Sequence, residues 1–374
     1  MLSYVHGSGV TPLLGQTIGE SLNRAAAQFS DRDALISCHQ NLRYTYRELL
    51  QQVNRAARAL LHLGVARGDR VGIWSPNTAE WVITQYATAK VGAILVNINP
   101  AHRVRELEYA LKQSGIKILI AARGFRKTDY VEMLTTLIPE LSTIRRSTLV
   151  TERAPLLEHI VYLGAESNPG GIAWTEFIER GDAVDESDLE ARERVLQFDD
   201  PVNIQYTSGT TGSPKGATLS HHNIVNNGFF VGAMLKYTAA DRICVPVPFY
   251  HCFGCVMGNL AAVTHDAAVV VPAESFEAEA TLRAIETHHC TSIYGVPTMF
   301  IAQLDHPSFS QFRLDIPGRS RSSCNTHPKI SDVQVIGVPD LKYGEEVCAW
   351  VRLLDGEHAT EHELREYCRG QIAR

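Results

Sequence analysis

The chain has 374 residues, of which 45% are hydrophobic and 20% are charged, so it is long enough to bury more than one core. Its 35 basic and 41 acidic side chains give a formal charge of −6. They form no long blocks of one sign, which argues against binding of nucleic acid and against a polybasic patch that binds membranes. Small molecules are therefore the expected partners. Eight cysteines at irregular spacing give no disulfide framework and favour a reducing compartment.

The sequence shows no targeting or membrane-spanning segment. The first twenty residues contain no Arg or Lys, which argues against a secretory signal and against an Arg-rich mitochondrial transit peptide. The most apolar run, Cys255 to Val271, is interrupted by His265 and Asp266, and it predicts a buried helix followed by a strand. These patterns predict no transmembrane segment and no targeting signal, which leaves the cytoplasm as one alternative for the location of the chain.

Strands and helices alternate through the first part of the chain. Thr45 and Glu48 have capping-box spacing at the start of a helix that Gly64 can end, and its predicted buried face comprises Leu49, Leu50, Val53, Ala57, Leu60 and Leu61. A strand is predicted in "DRVGIWSPN", a helix at about 78–91 and a strand in "AILVNINP". A further helix is predicted in "VRELEYALKQSG" and a further strand in "IKILIAA". This order predicts an α/β fold of stacked βαβ units around a largely parallel sheet.

The second part is less regular. Residues of about 151–200 have little periodicity and predict a surface connection, after which a strand resumes at "VNIQY". A helix is expected in "EAEATLRAIETHH" and a strand in "TSIYGVPTMF". The stretch 317–326 is polar and basic, which predicts a linker or an unnatural junction. Residues 327–374 are predicted to form a small αβ piece, which is too short to fold reliably on its own.

The stretch "IQYTSGTTGSPKGATLSHHNI", residues 204–224, concentrates glycines and hydroxyls around one lysine. Glycines let backbone amides approach an anion, hydroxyls add donors, and the lysine adds a mobile positive charge, so phosphate is the expected ligand. The candidate phosphate-binding residues are Thr207, Ser208, Gly209, Thr210, Thr211, Gly212, Ser213, Pro214 and Lys215. Pro214 and Gly216 flank Lys215, so this is not a Walker A loop. A helix is expected to begin after Ser220, with its positive end facing the site.

"YTSGTTGSPKG" resembles the signature loop of the adenylate-forming superfamily, which contains acyl-CoA synthetases, luciferases and peptide-synthetase adenylation domains. Its extension "GATLSHHNIVNN", together with "VPFYHCFG" and "YGVPTMF", is similar to the medium-chain acyl-CoA synthetases known as acyl-CoA synthetase family member 2. The resemblance implies that residues 1–316 are an incomplete large N-terminal domain and residues 327–374 part of the small α+β C-terminal domain. It also implies a mitochondrial enzyme, against the expectation from the N-terminal residues.

The resemblance implies ATP-dependent ligation of a medium-chain fatty acid to coenzyme A, through an acyl-adenylate and with Mg²⁺ on the ATP. Thr207 to Lys215 would hold the β- and γ-phosphates, with Lys215 counted as catalytic. His251 would lie beside the carboxylate of the acyl substrate, although a structural histidine is the alternative. The predicted acyl-channel wall is formed by Tyr250, His251, Phe253, Gly295, Val296, Pro297 and Thr298.

Cys252 and Cys255 form a CxxC pair, which raises the possibility of a zinc or redox site. No second CxxC and no suitably spaced histidine pair follows, so we expect packing cysteines and no protein metal site.

Beyond Ile316 the sequence departs from the family pattern. By resemblance it lacks the segments that contact adenine, ribose and magnesium, and it stops before the family's late lysine. A polyphosphate held at one end only lacks the geometry that in-line attack needs, so we predict a chain with an internal deletion at 317–326, a splice or gene-model product, and little or no turnover. The alternative is a truncated, non-catalytic isoform that binds acyl groups or nucleotides. Such a deletion is expected to leave apolar faces uncovered and strand edges unpaired.

Overall fold

The computed structural model describes residues 11–143, 149–166, 168–207, 214–314, 329–340, 344–354 and 356–368. The helices are α1 (Ile18–Gln28), α2 (Tyr46–His62), α3 (Ala79–Val91), α4 (Val104–Ser114), α5 (Tyr130–Leu137), α6 (Trp174–Gly181), α7 (Glu186–Glu193), α8 (His221–Met234), α9 (Cys252–Gly254), α10 (Ala261–Thr264), α11 (Ala278–His288), α12 (Pro297–Leu304) and α13 (Glu361–Cys368). A π-helical segment, Cys255–Leu260, joins α9 to α10. Single 3₁₀ turns lie at Pro139–Ser142 and Phe309–Gln311.

The strands form two large sheets and two hairpins. They are β1 (Asp33–Ser37), β2 (Leu42–Thr45), β3 (Arg70–Trp74), β4 (Ile94–Asn97), β5 (Ile116–Ala121), β6 (Gly124–Phe125), β7 (Thr128–Asp129), β8 (His159–Tyr162), β9 (Ile172–Ala173), β10 (Pro201–Thr207), β11 (Lys215–Ser220), β12 (Arg242–Cys244), β13 (Ala268–Val271), β14 (Ser292–Ile293), β15 (Ile330–Asp340) and β16 (Gly344–Leu353). The seven-stranded order is β11-β10-β4-β3-β5-β8-β9 and the five-stranded order is β14-β12-β13-β1-β2. Only the pairs β10–β11 and β1–β2 are antiparallel within these sheets, which confirms the largely parallel α/β prediction.

Helix α3 lies at the centre of the molecule. It contacts β1 of one sheet and β3 and β4 of the other, and every residue in it except Glu80 is buried. Burial on all sides is typical of a helix that lies between two sheets, and its buried polar residues include Lys90, which pairs with Glu193 at 2.7 Å. One continuous apolar cluster therefore extends through both sheets, with Val71 in β3 and Val269 in β13 among its members. The two sheets share a core.

Local signals placed the early helices correctly. Thr45 and Glu48 form the expected capping box of α2, Gly64 follows its end with a φ of 75°, and Leu49, Val53, Ala57 and Leu60 are buried, while Leu50 and Leu61 are half-buried. These features depend on residues within one or two helical turns, so sequence spacing is sufficient to find them.

Two element predictions were wrong. Residues 151–200 are not a plain surface connection, because they form β8, β9, α6 and α7 and bury Trp174, Phe177 and Leu189. Helix α6 does carry an apolar face, because Trp174, Phe177 and Ile178 have helical spacing and are buried, whereas α7 buries Leu189 alone among its eight residues and gives no apolar period. "TSIYGVPTMF" is not one strand, since β14 ends at Ile293 and Pro297 starts α12 at a position where its missing N–H is not needed.

Helix α12 carries apolar side chains that are exposed to solvent. On α12, Ile301 is 56% and Leu304 58% exposed, and Phe300 is also exposed. Among the described strands, β14 is the edge of the five-stranded sheet and pairs only with β12. The linker 317–326 lies outside the described residues. Within 327–374 the described elements are the hairpin β15–β16 and α13, and the division into a separate small domain stays a prediction.

Helix α8 begins with a buried histidine. His221 Nδ1 accepts a hydrogen bond from the backbone N–H of Ile18 at 3.1 Å, which joins α8 to α1. The side chain is fully buried, and desolvation, only partly offset by Asp200, lowers its pKa from 6.5 to about 4.

The lowered pKa of His221 predicts acid destabilisation. Below pH 6.5 the unfolded chain binds a proton that the folded chain excludes until about pH 4, so the contribution is fully present above pH 6.5 and is lost as the pH falls through this window. We expect wild type to lose about 2 kcal/mol of unfolding free energy between pH 7 and pH 5 beyond the loss of His221→Asn, whose amide oxygen can still accept from Ile18. Urea titrations at the two pH values measure the difference. Equal losses in both proteins would contradict the prediction.

Candidate active site

The segment after β12 carries the first group of candidate residues. His251 is exposed and caps the short helix α9, where its Nδ1 accepts the backbone N–H of Phe253 at 3.1 Å. A neutral ring that accepts at Nδ1 carries its proton on Nε2. The imidazole can therefore donate a hydrogen bond from Nε2 to a carboxylate while its other nitrogen is fixed by the backbone.

Asn77, just beyond the end of β3, holds this segment in place. Its side-chain Nδ2 donates to the carbonyl of Val247 at 2.9 Å, and its Oδ1 accepts the N–H of Phe249 at 2.8 Å. Its backbone N–H also donates to the carbonyl of Glu274 at 3.0 Å. Asn77 is buried, so these bonds have little competition from water. It joins the seven-stranded sheet to the backbone that leads into Tyr250 and His251.

The predicted acyl wall is brought together in part. The rings of Phe253 and Tyr294 meet edge-on with centroids 5.4 Å apart, so the two candidate segments are in contact. The Phe300 ring packs over Gly295, where an added Cβ would lie 3.0 Å from it. Burial raises the pKa of Tyr250 and, more strongly, that of Tyr294, so both phenols stay protonated. Val296, Pro297 and Thr298 are exposed at the start of α12.

A cavity of about 350 Å³ lies where strands of both sheets end. Its lining includes Asn77, Asn99, Pro248, Tyr250, Glu274 and Met299. The carboxyl ends of parallel strands are the usual ligand sites of α/β sheets. Of the predicted wall residues, Tyr250 lines this cavity, whereas His251, Phe253 and 295–298 do not. The lining from β3 and β4 was not predicted, although the strand-end sequence "SPN" at Asn77 is the kind of signal that marks such an edge.

The predicted phosphate loop is flanked by a β-hairpin ladder. Thr207 pairs with Lys215 at the last position of the antiparallel β10–β11 ladder, and both are exposed. No ion pair to Lys215 occurs among the described residues. Ser208, Gly209, Thr210, Thr211, Gly212 and Ser213 lie outside the described residues, so their proposed contacts stay predictions. Strand β10 pairs in parallel with β4, and Thr207 lies two residues beyond the Gln205–Asn97 pair. The hairpin thus leaves the sheet at the same edge as the cavity.

The expectation that the helix after Ser220 faces the loop was wrong. Ser220 does cap α8, with Asn223 completing a capping box. However, Ser220 pairs with Pro201 at the opposite end of the ladder from Lys215. With a rise of ~3.4 Å per strand residue, five steps separate the helix start from Lys215 by roughly 17 Å. The helix dipole is therefore too far away to act on a phosphate held at Lys215.

The CxxC pair occupies two different environments. Cys252 is exposed, whereas Cys255 is buried and its Sγ accepts from Gln205 Nε2 at 3.4 Å and Asn97 Nδ2 at 3.6 Å. Burial raises the pKa of the Cys255 thiol to about 12. A thiol that stays protonated is typical of a packing cysteine. Within the described ranges, no three His, Cys, Asp or Glu side chains are placed to hold a metal ion.

Comparison with known proteins identifies the family. The model of the AMP-binding enzyme family matches residues 22–352. The chain belongs to this family. It is 31% identical over 507 positions to the putative acyl-CoA synthetase YngI of Bacillus subtilis (strain 168), with 97% of this chain and 92% of that protein covered. It is 40% identical over 316 positions to the mitochondrial medium-chain acyl-CoA ligase ACSF2 of Mus musculus, with 83% of this chain and 51% of that protein covered.

A solved structure shows the same architecture. The anthranilate CoA ligase AuaEII in complex with anthranoyl-AMP superposes with a TM-score of 0.67 at 26% identity, over 81% of this chain and 54% of that one. This chain therefore spans about half the length of the mouse relative and of AuaEII. The YngI alignment has 507 positions for a chain of 374 residues, so at least 133 positions of that relative face no residue here. None of the described helices is long and apolar enough to cross a membrane.

Proposed function

We propose that the chain carries the acyl and polyphosphate sites of an ATP-dependent ligase that joins a medium-chain fatty acid to coenzyme A. The observation that carries the proposal is the common edge of the seven-stranded sheet, which holds both the cavity at Tyr250 and the hairpin end at Lys215. A substrate carboxylate in the first and a nucleotide polyphosphate at the second would be neighbours. This is the arrangement that attack of a carboxylate on the α-phosphate, with transfer of the adenylyl group to the carboxylate and departure of pyrophosphate, needs.

In the proposed reaction, the fatty-acid carboxylate attacks the α-phosphate of ATP, giving acyl-adenylate and pyrophosphate, and the thiol of coenzyme A then displaces AMP to give acyl-CoA. Lys215, with the donors of Thr207 and the loop between them, would stabilise the charge on the departing pyrophosphate. His251 Nε2–H would donate to the carboxylate and orient it. The Mg²⁺ implied by the family needs acidic ligands that the described residues do not bring together, so no residue is assigned to it.

Tripolyphosphate binding tests the phosphate site directly. In calorimetric titrations at low ionic strength, we expect Lys215→Ala to weaken tripolyphosphate binding about tenfold or more, because a charge-assisted contact is lost. Octanoate binding is expected to be unchanged. The matched control is Lys236→Asn, which removes an equal charge at the far end of α8, where asparagine tolerates the φ of 57°. Equal affinities of wild type and Lys215→Ala for tripolyphosphate would overturn the proposal.

A second candidate is a non-catalytic protein that binds acyl groups or polyphosphates without turnover. The unmatched positions of YngI and the exposed apolar side of α12 favour it, since both are consistent with an internal deletion near 317–326. This candidate predicts heat of binding with octanoate but no pyrophosphate release. The absence of heat with both octanoate and tripolyphosphate would exclude it. For location, resemblance to relatives named mitochondrial supports the mitochondrion, and the cytoplasm is the alternative.

A further inference from the structure

A tyrosine on α4 contacts the residue that precedes the candidate lysine. The hydroxyl of Tyr109 donates to the carbonyl of Pro214 at 3.0 Å. We infer that Tyr109 is a positioning residue, which sets the direction from which Lys215 meets a bound polyphosphate. The inference rests on the proposed function, because it assumes that Lys215 binds polyphosphate.

The backbone around Lys215 needs such a support. The β10–β11 ladder ends at Lys215, and Pro214 has no N–H with which to extend it. The Pro214 carbonyl is the next polar group, and Tyr109 is its partner. On the other side, Gly216 lies so close to β10 that an added Cβ would be 3.0 Å from Ile204 Cγ2. The chain is thus fixed on both sides of Lys215, while the lysine side chain stays exposed.

Helix α4 is itself well anchored and connected to the cavity. Its inner face is buried and consists of Leu107, Ala110 and Leu111. The helix ends at Gly115, which adopts the left-handed conformation with a φ of 63°. The helix follows β4, and the residues just beyond β4, including Asn99, line the cavity. Tyr109 therefore links the hairpin to the same βα unit that forms part of the acyl cavity. A long, exposed lysine gains binding strength when its backbone is held, because less conformational freedom is lost on binding.

Tyr109→Phe removes the hydroxyl and keeps the ring. We expect this variant of the full chain to bind tripolyphosphate about threefold to tenfold more weakly than wild type, the range of one hydrogen bond. Octanoate affinity is expected to stay at the wild-type value and the melting temperature to fall only by what one lost hydrogen bond explains, whereas general structural damage would lower both further. In a Lys215→Ala background, Tyr109→Phe is expected to add no further loss. Tyr46→Phe is the matched control, because its hydroxyl also donates to a carbonyl, that of Ala267 at 2.8 Å, away from the site.

The outcomes separate the two claims. If Lys215→Ala weakens tripolyphosphate binding and Tyr109→Phe does not, the positioning role is wrong and the proposed function stands. The same holds if Tyr109→Phe weakens binding equally with and without Lys215, because the tyrosine then acts independently of the lysine. If Lys215→Ala itself has no effect on tripolyphosphate, the proposed function fails and the inference fails with it.

Discussion

A chimera of this chain is expected to release pyrophosphate from ATP, whereas the 374-residue chain releases none. In the chimera, residues 1–316 are fused to the corresponding C-terminal part of the mouse relative. The fusion supplies the segments that, according to the family resemblance, contact adenine, ribose and magnesium and are missing from this chain. The assay contains octanoate, ATP, Mg²⁺ and coenzyme A. In the chimera, Lys215→Ala is expected to lower kcat/KM by about 10²–10³-fold, the usual cost of removing a preorganised group that stabilises transition-state charge.

The reason for this difference is geometric. The described part of this chain offers the hairpin end at Lys215 and a cavity at Tyr250, but a nucleotide held by its phosphates alone can rotate about them. In-line attack needs the α-phosphate fixed relative to the carboxylate, and fixing both reactants accounts for several orders of magnitude in rate. Contacts to the base and ribose would provide that second point of attachment.

Two controls make the assay decisive. The intact mouse relative is the positive control, and the 374-residue chain with Lys215→Ala defines the background. Pyrophosphate release by the 374-residue chain that disappears in its Lys215→Ala variant would show that the chain is a competent ligase as it stands. A folded chimera with no turnover would show that residues 1–316 do not supply a working half of the site.

The predictable parts of this structure are those specified by nearby residues. The capping box at Thr45, the helix start after Ser220 and the strand before Thr207 each depend on a few neighbouring positions, and all are present. The signature loop also identified the family, because a long ungapped motif of this composition is specific. Fold class and family therefore followed from local patterns.

The unpredicted parts depend on contacts between distant segments. Asn77 holds Val247 and Phe249, about 170 positions away, and Tyr109 holds Pro214 across 105 positions. No periodicity in one segment reports such a partner. The separation of Ser220 from Lys215 was missed for a related reason, since it depends on the length of β11 rather than on the residue types within it.

The exposed side of α12 connects the fold to the question of turnover. Met299 in this helix lines the cavity, whereas Ile301 and Leu304 are exposed to solvent. A helix with apolar residues on both sides is expected between two layers of structure. Among the described residues, no such layer covers Ile301 and Leu304. In the cavity that we propose for the acyl chain, the wall at Met299 is therefore part of a helix that is open to solvent on its other side, which is a second reason to expect weak activity.

The substitution Gly254→Ala is expected to cause the largest loss of stability at the site. Gly254 ends α9, and an added Cβ would lie 2.4 Å from the Pro248 carbonyl oxygen, 2.7 Å from its carbon and 3.0 Å from Phe249 Cα. All three atoms are backbone, and Asn77 holds Phe249 from the other side. Because neither neighbour can move away freely, we expect a loss of about 3 kcal/mol of unfolding free energy and a clear loss of octanoate binding.

Gly258→Ala is the matched control, four residues further along the chain. There the added Cβ would meet side-chain atoms of Val245 at 3.0 and 3.4 Å, and a side chain can shift by a few tenths of an ångström. We expect this variant to lose less than about 1 kcal/mol. Urea unfolding followed by tryptophan fluorescence measures stability, and calorimetry measures octanoate binding. If both alanine variants unfolded at the same urea concentration, Pro248 and Phe249 would not be fixed against α9, and the backbone that presents Tyr250 and His251 would not be preorganised.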